Sequence, residues 1–543
     1  MQPSEVKMVQ TEQSMKKAIE HSMKDLSILS SRTIDKSDDY FQIKSNPNKG
    51  RFAVASKILK PGQLILKETP VVFVADAVEY NKRCFSCFRC STEKSEQGKI
   101  SDFGPQITVF SECLSLSRCS KCKLAWYCSK DCQLRDWAVY HKKECVSYAK
   151  HKESVPTSIR LMTKILILSQ GAYPSFMSDM ISNRQQFSLQ EVKKFGEMSL
   201  LLHNFIDHSQ LTAIQLIDLW CKLQCNGFSI CDDELSKVGV GLYEKAACFN
   251  HSCRPNAYAY FNGHNLELRA LDTIDAEQEI TITYIETFEP QTVRKKNLKE
   301  QYFFDCLCDK CCQDESKPTT RSDYLPCPVC MQALFINEFN FHAKDNGSCT
   351  CSLEHTFHEL KLAYKAFKSL TVSPVKSQTA KPIDEQIKSL KAIEKTFQKH
   401  LVPTSHYFTL QLSHSLIGSL SRSIFLLLDL SNIPEACKTY TELTRYVKSY
   451  IEALICAGAS KFHPFISNTY FTQSITCFQI WDLLAHNHQK GPLCELLQDY
   501  SEKLSIALNT SLSNANATHG QQSSTYIQLS QFKMSLTTFL AQK

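Results

Sequence analysis

Cysteine and histidine residues at short, regular spacings are the part of this sequence best suited to chemistry. One block contains two C-x2-C pairs, then a C-x3-C pair, then an H-x3-C pair. Zinc prefers four tetrahedral nitrogen or sulfur ligands, and a C-x2-C turn presents two thiolates together. We therefore predict that eight side chains bind two structural zinc ions: Cys84, Cys87, Cys119, Cys122, Cys128, Cys132, His141 and Cys145.

Two quartets in so short a stretch indicate interleaved ligands. The expected pairing puts Cys84, Cys87, Cys128 and Cys132 on one ion and Cys119, Cys122, His141 and Cys145 on the other. Cys87 and Cys90 also form a C-x2-C pair, so the choice between Cys84 and Cys90 stays open. Every ligand position would be filled by protein, which is typical of a structural zinc ion rather than a catalytic one.

A third metal site is predicted from a C-x-C-x2-C motif formed by Cys306, Cys308 and Cys311. The motif lacks a fourth ligand, which Cys253 can supply. Such a site would hold the later segment against the loop that contains Asn250 and His251. It would also bring Tyr284 and Phe304 into that neighbourhood.

A fourth group has two competing interpretations. Cys327, Cys330, Cys349 and Cys351 could form a zinc ribbon, with His355 as a substitute ligand, or they could be free thiols in a cysteine-rich loop. The C-x2-C pair favours the ribbon, whereas the distal C-x-C pair is unusual for one. The sequence does not decide between these interpretations.

Overall composition limits the class of protein. The chain has 543 residues, 43% of them apolar, and a net charge of +7, so we expect two to four domains with large cores. There is no long run of Lys and Arg, and the fingers lack a C2H2 pattern, so sequence-specific nucleic-acid binding is not expected. We also expect no secretory signal and no membrane span. The 26 cysteines are then expected to lie in a reducing compartment, where metal binding is favoured over disulfides. Cys437, Cys456, Cys477 and Cys494, isolated in helical patterns, are expected to be core thiols.

Hydrophobic patterns divide the chain into strand-rich and helical parts. Short apolar runs predict strands at 51–56, 63–68 and 71–74, and alternating runs predict strands at 266–270 and 279–284. Residues 156–224 have helical spacing. After His355 we predict helices at 355–369, 384–399, 405–429, 434–457, 464–485, 490–508 and 521–541.

The first cysteine block resembles a MYND zinc finger. The resemblance rests on the spacing from Cys119 to Cys145, on Trp126-Tyr127-Cys128, and on Trp137 ahead of His141. It implies a partner-docking role, because MYND fingers generally bind short proline-containing peptides. The 31 residues between the first two knuckles are more than this family usually has.

Residues 40–313 resemble the SET and MYND (SMYD) family of protein lysine methyltransferases. The resemblance is carried by Lys49-Gly50-Arg51, Asn226, Asn250-His251-Ser252-Cys253, Tyr284 and the cysteines that follow Phe304. It implies S-adenosyl-L-methionine as cofactor and Tyr284 as the catalytic residue. It further implies that the cofactor is bound by Lys49, Gly50, Arg51, Asn226, Asn250, His251, Tyr284 and Phe304.

One position departs from that family. Its first cofactor loop usually reads Gly-x-Gly, whereas here Phe52 stands at the second glycine. A glycine there lets the backbone approach a ligand closely. Phe52 could weaken cofactor binding, or it could point into the core while Gly50 suffices. The first outcome would favour the alternative, a catalytically weak or inactive SET/MYND scaffold that recruits partners, for example in transcriptional regulation.

The resemblance implies an α+β multidomain fold. We predict a loose N-terminus at 1–40, a β-rich split SET domain at 41–287 with the finger inserted at 84–145, a post-SET zinc segment at 288–313, a cysteine-rich segment at 314–355 and an all-α tetratricopeptide-like domain at 356–543. Expected partners are a substrate lysine on a histone or another protein and, through the finger, proline-containing peptides or corepressors. We expect a monomer in the cytoplasm and nucleus.

Overall fold

A small β-rich unit is assembled from chain segments on both sides of the cysteine-rich finger. The computed structural model describes residues 39–541 except for 48, 91–114, 152–154, 208–209, 234, 318, 320, 337–348, 350, 372–381 and 487–491. Nearly all of the N-terminal segment predicted to be loose therefore lies outside the described residues. The strands are β1 Phe41–Asn46, β2 Gly50–Ala55, β3 Leu64–Glu68, β4 Val72–Ala75, β5 Ser117–Arg118, β6 Trp126–Tyr127, β7 Gly227–Cys231, β8 Lys237–Leu242, β9 Asn250–His251, β10 Ala257–Asn262, β11 Asn265–Ala270, β12 Thr281–Ile282, β13 Tyr324–Pro326 and β14 Ala333–Phe335.

Strand pairing joins the segment before the finger to the segment after it. Strand β3 pairs with β11, placing Leu66 opposite Leu268, and β4 pairs with β8. Strand β2 reaches the late segment through a bridge from Val54 to Glu279. Since both halves share sheets and one core, the finger is an insertion into a single β unit.

The predicted strand at 279–284 is shorter in the structure because this segment pairs first with β2 and then with β9. The N–H of Ile280 donates to Ala53 O on β2 at 2.8 Å. Thr281 and Ile282 then pair in parallel with Asn250 and His251 as β12 and β9. The parallel pair sets the two predicted site segments side by side.

Helices surround this unit and continue into the finger. They are α1 Lys130–Asp136, α2 Lys142–Lys150, α3 Thr157–Leu168, α4 Leu189–Leu202, α5 Ala213–Asn226, α6 Gln291–Tyr302 and α7 Asp309–Ser316. A π-helical turn, Trp137–His141, joins α1 to α2. Capping boxes begin α4 at Ser188 and α5 at Thr212, satisfying the first backbone N–H groups of each helix.

The last third of the chain is helical. Its helices are α8 Glu354–Thr371, α9 Ile383–Lys399, α10 Tyr407–Asp429, α11 Ile433–Cys456, α12 Pro464–His486, α13 Pro492–Thr518 and α14 Ser524–Ala541. They share one core that includes Leu416, Trp481 and Leu504, each fully buried. Helix α13 runs ten residues past its predicted end at 508, because burial of Ala515 and Leu508 outweighs the weak helix propensity of this polar stretch.

The helical part lies against the β unit. The hydroxyl of Ser460 donates to Leu271 O at 3.0 Å, and the Asn468 amide donates to Asp233 O at 2.8 Å. The ring of Tyr260 meets that of His519 at a centroid distance of 4.7 Å. The predicted α+β multidomain fold is confirmed. Among the described helices, none has the length and apolar character required to cross a bilayer.

Candidate functional site

Eight side chains of the finger form two compact groups. Cys84, Cys87, Cys128 and Cys132 make one group, and Cys119, Cys122, His141 and Cys145 make the other, with ligand atoms within 4.8 Å of one another in each. Four sulfurs tetrahedral about a zinc ion at about 2.3 Å would stand about 3.8 Å apart. The observed sulfur distances are 3.5 Å for Cys87–Cys128 and 3.8 Å for Cys119–Cys145. Both groups fit zinc, and their ligands interleave as the spacing suggested.

The competing ligand Cys90 is not part of the first group. Its backbone pairs with that of Arg83 across an isolated bridge. Arginines surround the sulfurs instead: Arg89 donates to Cys87 Sγ at 3.4 Å and Arg135 to Cys132 Sγ at 3.0 Å. Positive charge at this distance offsets the negative charge of four thiolates.

The finger is anchored to α3 by buried charged side chains. Asp136 accepts a hydrogen bond of 2.7 Å from Tyr127 and lies 3.6 Å from the Lys164 ammonium. Both charged side chains are at most 3% exposed. A buried charge is stable only while its partner is present, so this contact fixes the finger on the β unit.

Replacing Lys164 with methionine should therefore loosen the finger. Lys164→Met leaves the Asp136 carboxylate buried without its countercharge, which we expect to cost about 3 kcal/mol of unfolding free energy. Chemical denaturation measures the change, with the exposed Lys142→Met on the finger as control. Equal stability of the two variants would contradict the anchoring role.

A third group brings Cys253 together with Cys306, Cys308 and Cys311. The Cys253 sulfur lies 3.7 Å from that of Cys311 and 4.0 Å from that of Cys306. The backbone N–H of Cys253 also donates to Cys308 Sγ at 3.4 Å. This group has the chemistry and spacing of a four-cysteine zinc site. It attaches the segment after α6 to the Asn250–His251 loop.

His251 connects this third group to Tyr284. Its Nδ1 accepts the Tyr284 backbone N–H at 3.0 Å, and its Nε2 lies 3.3 Å from Cys253 Sγ. Because Nδ1 accepts, the ring proton must reside on Nε2 and point toward the sulfur. Burial lowers the pKa of His251 to about 4, so the imidazole ring is neutral at neutral pH. The imidazole thereby orients the backbone of Tyr284.

The Tyr284 side chain lies in an aromatic environment. Its hydroxyl donates to Phe249 O at 2.7 Å, and its ring lies 4.8 Å from that of Tyr302. Phe304 packs on the same cluster, 6.1 Å from the His251 ring. Burial raises the pKa of Tyr284, so the phenol stays protonated at neutral pH.

Glu279 joins the segment that contains Lys49 to the loop that contains Asn250. Its carboxylate lies 2.8 Å from the Lys49 ammonium and accepts a 3.1 Å hydrogen bond from the Asn250 amide. Sequence reasoning did not single out this residue. The contact spans 230 positions of sequence for Lys49, so only the fold could have indicated it.

The segment at 181–183 lies between Gly50 and Tyr302 and contacts both. Gly50 has φ +68°, and a Cβ there would stand 3.2 Å from Ile181. The Asn226 amide donates to Ile181 O at 2.8 Å, and the Asn183 amide donates to Tyr302 O at 3.4 Å. Neither Ile181 nor Asn183 was predicted as a site residue.

These contacts, together with the chain links Lys49–Gly50, Ile181–Asn183 and Asn250–His251, form a closed circuit of residues, which we call the pocket ring. Starting from Lys49 and returning to it, its members in order are Lys49, Gly50, Ile181, Asn183, Tyr302, Tyr284, His251, Asn250 and Glu279. Asn226 braces it from α5. Arg51 follows Gly50 on β2, and its Nε is buried without a hydrogen-bond partner among the described residues.

Phe52 does not point into the core. It is half-buried, lies outside the core clusters of the described residues, and has the Lys49 ammonium 5.9 Å from its ring centroid. The core-filling explanation for this residue is therefore wrong. Gly50 stands at the first glycine of the family's Gly-x-Gly loop. Its left-handed conformation shows that the backbone requires glycine at this position.

Comparisons with known proteins agree with the cysteine pattern. Residues 104–145 match the MYND finger family, and the match contains six of the eight finger ligands. The histone-lysine N-methyltransferase SMYD3 of Homo sapiens is 32% identical over 47% of this chain and 57% of its own length. The N-lysine methyltransferase SMYD2-A of Danio rerio is 31% identical over 51% and 61%. These matches support an SMYD-family protein.

A further curated protein and a solved structure are also similar to parts of this chain. The histone-lysine N-methyltransferase ASHR1 of Arabidopsis thaliana is 29% identical over 49% of this chain and 53% of its own length. The chain thus spans about half to three fifths of the curated relatives it matches. Among solved structures, the SET domain of LSMT bound to lysine and AdoHcy aligns over 74% of this chain and 84% of its own, at 12% identity and a TM-score of 0.26. A TM-score this low does not bear on the fold.

Proposed function

We propose that this chain is an S-adenosyl-L-methionine-dependent protein-lysine N-methyltransferase. The observation that carries the proposal is the pocket ring, in which Tyr284 and the Asn250–His251 loop are held together beside the group formed by Cys253, Cys306, Cys308 and Cys311. The relatives named above, which are histone-lysine or N-lysine methyltransferases, add support over half of the chain. The alternative of an inactive scaffold has no support from those relatives.

Residues of the pocket ring and their neighbours Arg51, Asn226 and Phe304 have the chemistry that the cofactor requires. Gly50 adopts a left-handed backbone conformation that favours glycine, and the Nε of Arg51, which has no hydrogen-bond partner among the described residues, can donate to a carboxylate. Polar contacts would come from Lys49, Asn226, Asn250 and His251, and aromatic contacts from Tyr284 and Phe304. When bound, the cofactor supplies an electrophilic methyl group on a sulfonium.

The chain must deliver a neutral substrate amine to that site. A free lysine has a pKa of about 10.4, so the amine is charged at neutral pH. An apolar, aromatic channel formed around Tyr284 and Tyr302 disfavours the ammonium form and lowers this pKa. The Tyr284 hydroxyl keeps its lone pairs available to accept from the amine, since its proton is donated to Phe249 O. Positioning is then the main contribution of the protein to the rate.

Removing the charge of Glu279 should weaken cofactor binding. Glu279→Gln breaks the ion pair with Lys49 and frees the Lys49–Gly50 turn, so we expect the cofactor Kd to rise about tenfold. Equilibrium dialysis with labelled S-adenosyl-L-homocysteine measures it. The control is Glu277→Gln, which removes the exposed ion pair with Lys44 between the same two segments. A Kd shift of equal size in both variants would refute a specific role for Glu279.

The finger and the helical part would serve recognition. Within the proposal, the MYND finger docks proline-containing peptides or corepressors, and the protein acts as a monomer in the cytoplasm and nucleus without sequence-specific nucleic-acid binding. The dilute net charge of +7 is consistent with the last point. We also propose the domain bounds that were predicted from the sequence.

The proposal is tested by methyl transfer to lysine. The full chain is incubated with labelled S-adenosyl-L-methionine and an array of histone and non-histone peptides, and the products are examined by mass spectrometry. We expect label on lysine, with a mass increase of one methylene unit for each transfer. Label on no peptide, despite measurable cofactor binding, would refute the lysine methyltransferase assignment.

A further inference from the structure

The fourth cysteine group lies outside the pocket ring, between the β unit and the helical part. Cys327, Cys330, Cys349 and Cys351 have sulfurs within 4.8 Å of one another. Two of the distances are 3.5 Å for Cys330–Cys349 and 3.6 Å for Cys349–Cys327. His355, the substitute considered from sequence, is 80% exposed and faces Glu359 instead. Four thiols gathered at this spacing match a tetrahedral zinc site.

The turn at Cys327 repeats the backbone of the two finger knuckles. In each, the N–H four residues after the first cysteine donates back to its carbonyl: Phe88 to Cys84 at 2.9 Å, Lys123 to Cys119 at 3.0 Å and Met331 to Cys327 at 2.9 Å. The donating residue has positive φ in all three, at 64°, 55° and 59°. Since non-glycine residues seldom adopt this conformation, its recurrence points to a shared requirement rather than to a loop of free thiols.

Backbone donors also converge on the first sulfur. The N–H groups of Val329 and Cys330 each lie 3.4 Å from Cys327 Sγ. Paired N–H donors stabilise a thiolate, the form that binds zinc. The site therefore offers both the ligands and their supporting hydrogen bonds.

The hairpin that carries this group is too small to be stable alone. Strands β13 and β14 have three residues each, and an isolated hairpin is marginal in water. Its buried residues Leu325, Leu334, Ile336 and Leu353 belong to the core of the helical part. The hairpin is thus a layer of that core rather than a separate unit.

The residue Ser322, two positions before the hairpin, connects the helical part to the segment that follows Tyr284 in sequence. The N–H of Tyr407, at the start of α10, donates to Ser322 O at 2.8 Å. The Ser322 hydroxyl donates to Glu289 O at 2.9 Å, just before α6. Arg294 on α6 donates to the same carbonyl at 2.5 Å. Residue 322 therefore contacts both sides of the boundary.

We propose that Cys327, Cys330, Cys349 and Cys351 hold a fourth zinc ion, which secures this hairpin as the link between α6 and the helical part. The inference does not depend on the methyltransferase proposal. It rests on the geometry of the sulfurs, on the repeated knuckle and on the shared core.

Zinc stoichiometry tests it on the intact chain. Native mass spectrometry of the full-length protein should find four zinc ions per chain, and Cys330→Ser should bind three. Cys330 is exposed, so serine there disturbs packing little. The control is Cys456→Ser, an exposed thiol of the helical part outside the four groups, which should retain four ions. Three ions in the wild-type chain, or four in Cys330→Ser, would overturn the site.

Thermal unfolding tests the structural role separately. Followed by far-ultraviolet circular dichroism, Cys330→Ser should unfold roughly 5 °C or more below the wild type, whereas Cys456→Ser should not. A variant with three ions and an unchanged unfolding temperature would overturn the linking role.

Discussion

Tyr284→Phe is expected to lower kcat for methyl transfer by about 10²- to 10³-fold, the range seen when one oriented polar group is removed from an active site. The variant keeps the ring and its contacts with Tyr302 and His251. What it loses is the hydroxyl that would orient the substrate amine. Cofactor affinity should change less than threefold, because the backbone N–H of residue 284 still reaches His251 Nδ1. Single-turnover kinetics and equilibrium dialysis measure the two quantities.

A second tyrosine provides the matched control for this experiment. The Tyr243 hydroxyl also donates to a backbone carbonyl, that of His264, at 2.6 Å; its side chain is fully buried in the β unit, whereas that of Tyr284 is half-buried. Tyr243→Phe should lose a comparable hydrogen bond, worth about 1 kcal/mol of stability, with little change in kcat. Wild-type turnover by Tyr284→Phe would remove this residue from the mechanism.

Cys306→Ser is expected to have the second large effect, abolishing both cofactor binding and turnover. Structural zinc sites contribute roughly 10 kcal/mol or more of binding free energy, and a lost thiolate ligand forfeits much of it. Without the third ion, Cys253 and the segment at 306–311 would separate. His251 would then lose the sulfur that orients it, and Tyr284 would lose its backbone partner.

The neighbouring thiol Cys312 separates this effect from general damage. It is exposed and lies outside the four cysteine groups, although it directly follows Cys311. Cys312→Ser should keep its full zinc content and its cofactor affinity. For Cys306→Ser, zinc analysis should find one ion fewer than in the wild type. Retention of cofactor binding after that loss would show that the third ion does not support the pocket.

Local patterns in the sequence were enough to predict which cysteine and histidine side chains gather in the structure. Zinc ligands occur in short motifs, so Cys119, Cys122 and the H-x3-C pair can be read without a fold. The choice between Cys84 and Cys90 could not be made this way, because both spacings are permitted. It depends on which sulfur lies near those of Cys87, Cys128 and Cys132, which only the folded chain defines.

Long-range contacts account for the site residues that sequence reasoning missed. Glu279 meets Lys49 across 230 positions, and Asn183 meets Tyr302 across 119. Neither residue belongs to a motif, and a single carboxylate in a strand is ordinarily a solvated side chain. A weak signal existed at Asn183, since asparagine tolerates the left-handed conformation it adopts at φ 48°.

Secondary structure was predicted best where burial follows a simple period. Helix α9 buries Ile387, Leu390 and Ile393 at helical spacing, and its bounds differ from the prediction by one residue at the start. Strands β7, β8 and β10 were not predicted. Strand β8 contains Gly239 and Gly241, at which a Cβ would approach Phe88 and Tyr243 within 3.0 Å. These glycines serve close packing, which propensity alone does not indicate.

Calorimetric titration of the full-length chain with S-adenosyl-L-methionine tests the central claim most directly. If Lys49, Asn250 and Tyr284 surround one pocket, the titration should show saturable heat with one molecule bound per chain. No heat at cofactor concentrations well above the micromolar range would contradict the account.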